Sequence, residues 1–214
     1  MGGRLTVSFD LDGTLTSNRF ADSLWLEGLP RLVAESRGMG PEEARRYCLE
    51  AYEAEGPASI RWYQLPYWLE TFGLSDVDPA ALVESFSSRI EFYDDAIPVL
   101  EELRSRGYPL VLFSNATRLF LDAEAQAGSL GPYFREMISV SDDWGMTKAQ
   151  ASAFERLKRL AGGKVVHVGD HLEFDCLVPR SAGLQAYHIA RGNTHRADGS
   201  LQSLREFVDR VTGV

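Results

Sequence analysis

The apolar positions Leu5, Val7 and Phe9 run directly into two carboxylates, Asp10 and Asp12, and Gly13 and Thr14 follow at once. This pattern predicts a short strand set in a buried sheet, with acids at its end. From Asp94 onward apolar runs alternate with helical stretches. A helix is predicted from about Asp95 to Arg106, stopping at Gly107, and a strand over Leu110 to Phe113 ends at Ser114-Asn115. A helix over roughly Ala116 to Ala127 comes next. A short apolar run, Met137 to Val140, then leads through a polar loop, Ser141 to Thr147, into a helix from about Lys148 to Leu160. Val165 to Val168 reads as a strand ending at Gly169-Asp170, Leu184 to Ile189 as a further strand, and Leu201 to Val211 as a last helix. Alternating strands and helices imply a parallel sheet covered on both faces.

The segment from Ser17 to about Phe92 has helical signals throughout. Pro41 follows Gly40 and opens a helix with Glu42 and Glu43 in its first turn, which suits the positive end of the helix dipole. Asp78-Pro79 reads as a cap followed by proline at the first helical position, and Gly38 and Gly73 read as stops. Aromatic residues are dense here, among them Trp25, Tyr52, Trp62, Tyr63 and Trp68; they suit a small bundle packing its own core, the alternative being that some rings face a pocket. The expected fold class is therefore α/β, a Rossmann-like parallel sheet formed by residues 1–15 and 93–214, with an all-helical domain, 16–92, inserted after the first strand.

With 214 residues, 44% hydrophobic and 25% charged, the chain can build a sizeable core. Its net charge of −9 and lack of a polybasic run argue against nucleic acid or an anionic membrane as partner. The same charge means that any anionic ligand must be attracted locally, by a metal, a lysine or helix N-termini. Cys48 and Cys176 are far apart and in no paired pattern, which fits free thiols in a cytoplasmic setting. No apolar run approaches a membrane span or a signal peptide. Met1, Gly2 and Thr6 match the myristoylation pattern, but Thr6 falls inside the first predicted strand, which a flexible lipid anchor would not tolerate.

Residues two apart in an extended segment point the same way, so Asp10 and Asp12 converge on one small volume. Carboxylates that close repel unless a cation or a shared proton relieves them. Gly13 permits a tight turn, and Thr14 offers a hydroxyl and a backbone N–H. Ligands of open α/β sheets sit beyond the carboxyl ends of the strands. Predicted strands end at Asp10, Ser114 and Asp170, placing acids and a hydroxyl on one rim. The chain has three lysines, Lys148, Lys158 and Lys164, and only Lys148 follows a loop that reaches this rim. His167 lies within a strand and reads as structural, His171 borders the rim, and Cys176 reads as core.

Taken in order, Asp10-Leu11-Asp12-Gly13-Thr14, Ser114-Asn115, Lys148, and Gly169-Asp170 through Asp175 resemble the four motifs of the haloacid dehalogenase superfamily. The resemblance covers essentially the whole chain. It is to the phosphatase branch, phosphoglycolate phosphatase-like, with the helical block in the place of a C1-type cap. It implies a Mg²⁺-dependent phosphatase acting on a small phosphorylated metabolite through an aspartyl-phosphate. Asp10 would be the nucleophile and Asp12 the general acid and base. The metal would be held by the Asp10 side chain, the Asp12 carbonyl and Asp170. Lys148 would neutralise phosphate and Asp10. Thr14, Ser114 and backbone N–H groups near Asn115 would bind phosphoryl oxygens. Asp175 would orient Lys148 or a metal-bound water, with Glu173 a competing acid in the same segment.

Dehalogenation needs no acid at the position of Asp12, because halide leaves without a proton. Phosphonate cleavage in this family uses a cap lysine, and the block from Ser17 to Phe92 contains none. A phosphomutase shares all four motifs and stays open. A binding module would not need both Asp12 and Lys148. Arg19, just past the expected hinge at Thr16 to Asn18, is a candidate for a substrate carboxylate or second phosphate. A monomer or a homodimer is expected.

Overall fold

The computed structural model describes residues 4–192 and 197–213. Met1 and Gly2 of the myristoylation pattern lie outside them, whereas Thr6 opens the first strand. Strands β1 (Thr6–Phe9), β2 (Leu110–Ser114), β3 (Glu136–Ser139), β4 (Val165–Gly169) and β5 (Gln185–His188) form one parallel sheet in the order β3-β2-β1-β4-β5. Every residue of β1, β2 and β4 is buried, as a sheet covered on both faces requires. Phe9 is level with Leu112 on one side and Val168 on the other, so the first strand sits at the centre of the sheet with its end between the ends of two neighbours.

The helices are, in chain order, α1 (Arg19–Asp22), α2 (Leu29–Arg37), α3 (Pro41–Glu55), α4 (Leu65–Thr71), α5 (Pro79–Ser85), α6 (Ala96–Ser105), α7 (Arg118–Ala127), α8 (Val140–Trp144), α9 (Ala151–Leu160), α10 (Val178–Ser181) and α11 (Leu204–Thr212). Wide π-helical turns, Ser23–Gly28 and Leu172–Leu177, precede α2 and α10. Val7, Phe9, Leu110, Leu112, Val166 and Val168 pack on one face against apolar residues of α6, α7 and α11. On the other face Val111, Phe113, Ile138 and Val165 meet Phe154 and Leu157 of α9. Ser8 and His167 are register partners, both fully buried, and join across the sheet with Ser8 Oγ 2.9 Å from His167 Nδ1.

The helical block has its own core, in which Phe20, Leu24, Val33, Leu65, Trp68 and Phe72 are buried together with Phe120 of α7. Its helices obey the local signals. Gly40 is an extended cap before Pro41, Gly38 ends α2 at φ 64°, and the Asp78 carboxylate accepts from the Ala80 N–H at 3.0 Å. The chain enters and leaves the block through a paired stem. Thr16 bridges Phe92 in antiparallel fashion, Ser17 N–H donates to Glu91 O at 2.8 Å, and Tyr93 N–H donates to Leu15 O at 3.0 Å.

Local capping moves several predicted boundaries. The helix expected from Ala116 starts at Arg118, because Asn115 and Ala116 bend first and Thr117 is the cap. The helix expected from Lys148 starts at Ala151, leaving Lys148 in the turn ahead of it. The last helix starts at Leu204 rather than Leu201, because Ser203 caps it through the Glu206 N–H at 3.2 Å. The polar stretch after β3, read as a loop, contains α8, capped by Ser139 and ended by Gly145 at φ 62°.

Candidate active site

Strand geometry brings the motifs to one place. Asp10 is the first residue beyond β1, Ser114 the last of β2, and Asp170 the first beyond β4, all at the carboxyl edge. Lys148 reaches the same edge from the turn between α8 and α9. Its N–H donates to Asn115 Oδ1 at 2.8 Å, which fixes the turn against the end of β2. Lys148 is buried, and its Nζ lies 2.5 Å from Asp10 Oδ1 and 2.5 Å from Asp175 Oδ1. The Thr14 hydroxyl donates to Asp10 Oδ2 at 3.2 Å. Ser114 Oγ accepts from the Ala116 N–H at 3.1 Å, which leaves its own hydrogen for another acceptor.

Two glycines make this crowding possible. Gly13 sits at φ +72°, and a Cβ there would overlap the carboxylate of Asp170. A Cβ on Gly169 would overlap the carboxyl carbon of Asp175. Asp175 is fully engaged: Oδ1 meets Lys148 and His167 Nε2 (3.0 Å), and Oδ2 accepts the His171 N–H at 3.0 Å. A buried chain thus runs from Ser8 through His167 and Asp175 to Lys148. His167 is structural as expected, but it also anchors the acid that positions the lysine. Glu173 is exposed and lies outside the cavity lining, so Asp175 is the acid of that segment in the site.

The electrostatics differ sharply between the acids. Burial pushes the Asp10 carboxyl up, against the pull of Lys148. Burial, then the charge of Asp10, raises Asp12 to about 7. Asp170 is pushed well above its usual range by burial and by Asp10. Burial acts on Asp175 too, but Lys148 and His167 outweigh it and hold the carboxyl well below the usual range. Burial disfavours the charge on Lys148, yet Asp10 and Asp175 more than offset it and the ammonium is strengthened. Oxygens of Asp10, Asp170 and Asp175 lie within 4.8 Å of one another. Asp10 keeps lone pairs beside its bonds to Lys148 and Thr14, so Asp10 and Asp170 could share a hard cation, which would offset the burial and neighbouring negative charge that raise both.

Over this rim lies a cavity of about 710 Å³, lined on the sheet side by the residues above and on the other by the helical block. Tyr63 crosses between the halves, its Oη accepting from Asn115 Nδ2 at 2.9 Å, and Thr147 Oγ1 donates to Ala58 O at 3.0 Å. Arg19 is not part of the site. Its guanidinium is paired with Glu91 at the stem, half exposed, and does not line the cavity, so the expected contact with a substrate anion is replaced by a bond between the two ends of the helical block.

The sequence reading missed Glu124. It is fully buried on α7, and burial and then Asp12 raise its pKa well above the usual value, with the Thr16 hydroxyl pulling the other way. The signal was present: Phe120, Leu121, Glu124 and Ala125 share one helical face, which puts an acid on an apolar stripe. Tyr63 was one aromatic among many, and nothing in its neighbours singled it out.

Comparison with known proteins agrees with this geometry. GMP/IMP nucleotidase YrfG of Escherichia coli is 33% identical over 111 residues, 52% of this chain and 48% of YrfG, so the match spans about half the length of that relative. A HAD phosphatase from Thermococcus onnurineus superposes with a TM-score of 0.84 at 26% identity, covering 97% of both chains. The putative HAD-hydrolase YfnB of Bacillus subtilis, in a form bound to magnesium, shares the fold with a TM-score of 0.69 at 17% identity over the whole of both chains. Residues 5–183 match the family of haloacid dehalogenase-like hydrolases, and with that match spanning four of the five strands and the helical block, the chain belongs to this family.

Proposed function

We propose that the protein is a Mg²⁺-dependent phosphatase that hydrolyses small phosphate monoesters through an aspartyl-phosphate on Asp10. The observation that carries this reading is the pairing of roles at the first motif. Asp10 is neutralised by Lys148 at 2.5 Å, while Asp12, two residues on, is raised to about 7 and can carry a proton near neutrality. The phosphatase named among the similar structures and the nucleotidase among the relatives are consistent with it.

Lys148 holds Asp10 Oδ1, and Thr14 orients Oδ2. An Asp10 oxygen forms a bond to phosphorus as the ester P–O bond breaks, and protonated Asp12 gives its proton to the leaving oxygen. Asp12, now a carboxylate, takes a proton from the water that attacks the same phosphorus, and inorganic phosphate leaves with Asp10 regenerated. Ser114 and the N–H groups around Asn115 receive the phosphoryl oxygens throughout. A Mg²⁺ held by Asp10, the Asp12 carbonyl and Asp170 would screen the repulsion between nucleophile and phosphate. The helical block, residues 16–92, acts as a cap whose closure through Tyr63 and Thr147 excludes water. Two buried free thiols, Cys48 and Cys176, fit a cytoplasmic setting.

Phosphate release from an aryl phosphate should require Mg²⁺, cease in chelator and be lost in Asp10→Asn. Full activity in either condition refutes the mechanism. Halide release from a haloacid would move the protein to dehalogenation, and transfer of the phosphoryl group intact to product would make it a mutase.

A further inference from the structure

The wall facing the nucleophile is apolar and aromatic, and it offers no cation. Trp25, Leu26, Leu49, Trp62 and Phe120 line the cavity, with Trp25 stacked on Phe120 at 5.6 Å and 15°. Among the described lining residues Lys148 is the one lysine or arginine, and both its carboxylate partners are already in place. The nearby arginines are used elsewhere: Arg19 by Glu91, Arg118 by Asp143 and Asp122, and Arg61 over the ring of Tyr67. The other charged groups that the helical block brings to the cavity are acids, Asp22 and Glu53, both exposed at its rim. A carboxylate or second phosphate on the substrate would therefore meet like charge and, beyond Lys148, no lysine or arginine, with Asn18, Thr117 and His171 as its polar contacts, whereas a flat apolar body would meet rings.

We propose that this cavity selects monophosphates whose leaving group is a flat aromatic body without negative charge, of the size of a nucleoside, and rejects esters that carry a carboxylate or a second phosphate. The proposal rests on the phosphatase reading of Asp10 and adds the leaving group. A cavity of about 710 Å³ holds a ligand of that size with its phosphate at Asp10. Trp25 is the specificity-determining residue, because it lines the cavity and is held in place by its stack on Phe120 and its edge contact with Tyr52, and Asp22 and Glu53 supply the rejection of anions.

The test compares kcat/KM for a nucleoside 5′-monophosphate, glycerol phosphate and 2-phosphoglycolate at one salt concentration. The nucleotide should lead, and phosphoglycolate should trail. Trp25→Ala should lower kcat/KM for the nucleotide roughly 5- to 100-fold, the range of one lost ring stack, while glycerol phosphate changes by less than about threefold. Asp22→Asn with Glu53→Gln should raise phosphoglycolate relative to the nucleotide. A preference for phosphoglycolate, or an equal loss on all esters in Trp25→Ala, overturns the proposal. In Asp10→Asn the unphosphorylated nucleoside should quench tryptophan fluorescence saturably. Quenching without hydrolysis of any ester by the unaltered protein would refute the phosphatase reading and leave the aromatic site standing; neither quenching nor hydrolysis refutes both.

Discussion

At the scale of single residues the site is a set of acids whose charges are set apart by their surroundings. Asp12 is raised to about 7, and in the proposed mechanism it must be protonated to release a poor leaving group. For an alkyl phosphate kcat/KM should therefore fall as pH rises through about 7, and for an activated aryl phosphate the fall should be shallow. Asp12→Asn should cost about 10²- to 10⁴-fold on the alkyl ester and abolish that limb, as a pH–rate profile would register. Glu124 makes a different prediction. Its native pKa lies well above the ordinary 4.5, so across that interval the folded chain holds a proton that the unfolded chain has lost, and stability falls as pH rises. Metal-free Glu124→Gln should match the unaltered protein near pH 4 and exceed it in urea midpoint at pH 7.5. An equal difference at both pH values would show that Glu124 does not titrate in this interval.

At the scale of elements the question is what lets separate segments meet. Gly13→Ala places a Cβ against Asp170 and holds a side chain at φ +72°, a backbone cost of about 1–2 kcal/mol. The displaced acid should lower kcat more than about 10²-fold. A variant that keeps kcat while losing only stability would show that the close approach is packing alone. Such contacts also explain what could be read from the chain beforehand. Asp10, Ser114 and Asp170 were legible because apolar runs end at them and parallel strands deliver their ends to one edge. Lys148 was legible as the lysine reaching that edge, although the turn that presents it depends on Asn115, an accepting side chain with no periodic signature. Arg19 lies outside the cavity lining because its pairing with Glu91 joins residues brought together only when the stem closes. Helix starts at Arg118, Ala151 and Leu204 shifted because caps and turns, not hydrophobic spacing, decide the first residue of a helix.

At the scale of the whole molecule a net charge of −9 opposes any phosphorylated ligand. Raising ionic strength from about 0.01 to 0.15 M shrinks the screening length from about 30 to 8 Å, so kcat/KM for a dianionic ester should rise. A fall would mean that the field inside the cleft, dominated by Lys148, outweighs the surface during approach. No helix among the described residues is long and apolar enough to cross a membrane. The central place of β1 has a temporal consequence. The strand is made first, yet its partners β2 and β4 lie at Leu110–Ser114 and Val165–Gly169. On the ribosome it has nothing to pair with until the chain beyond the helical block has emerged, while that block already holds most of a hydrophobic core of its own. Asp10 and Lys148 stand 138 residues apart and meet only when the fold is complete. A nascent or truncated chain that lacks Lys148 would carry Asp10 without its cationic partner.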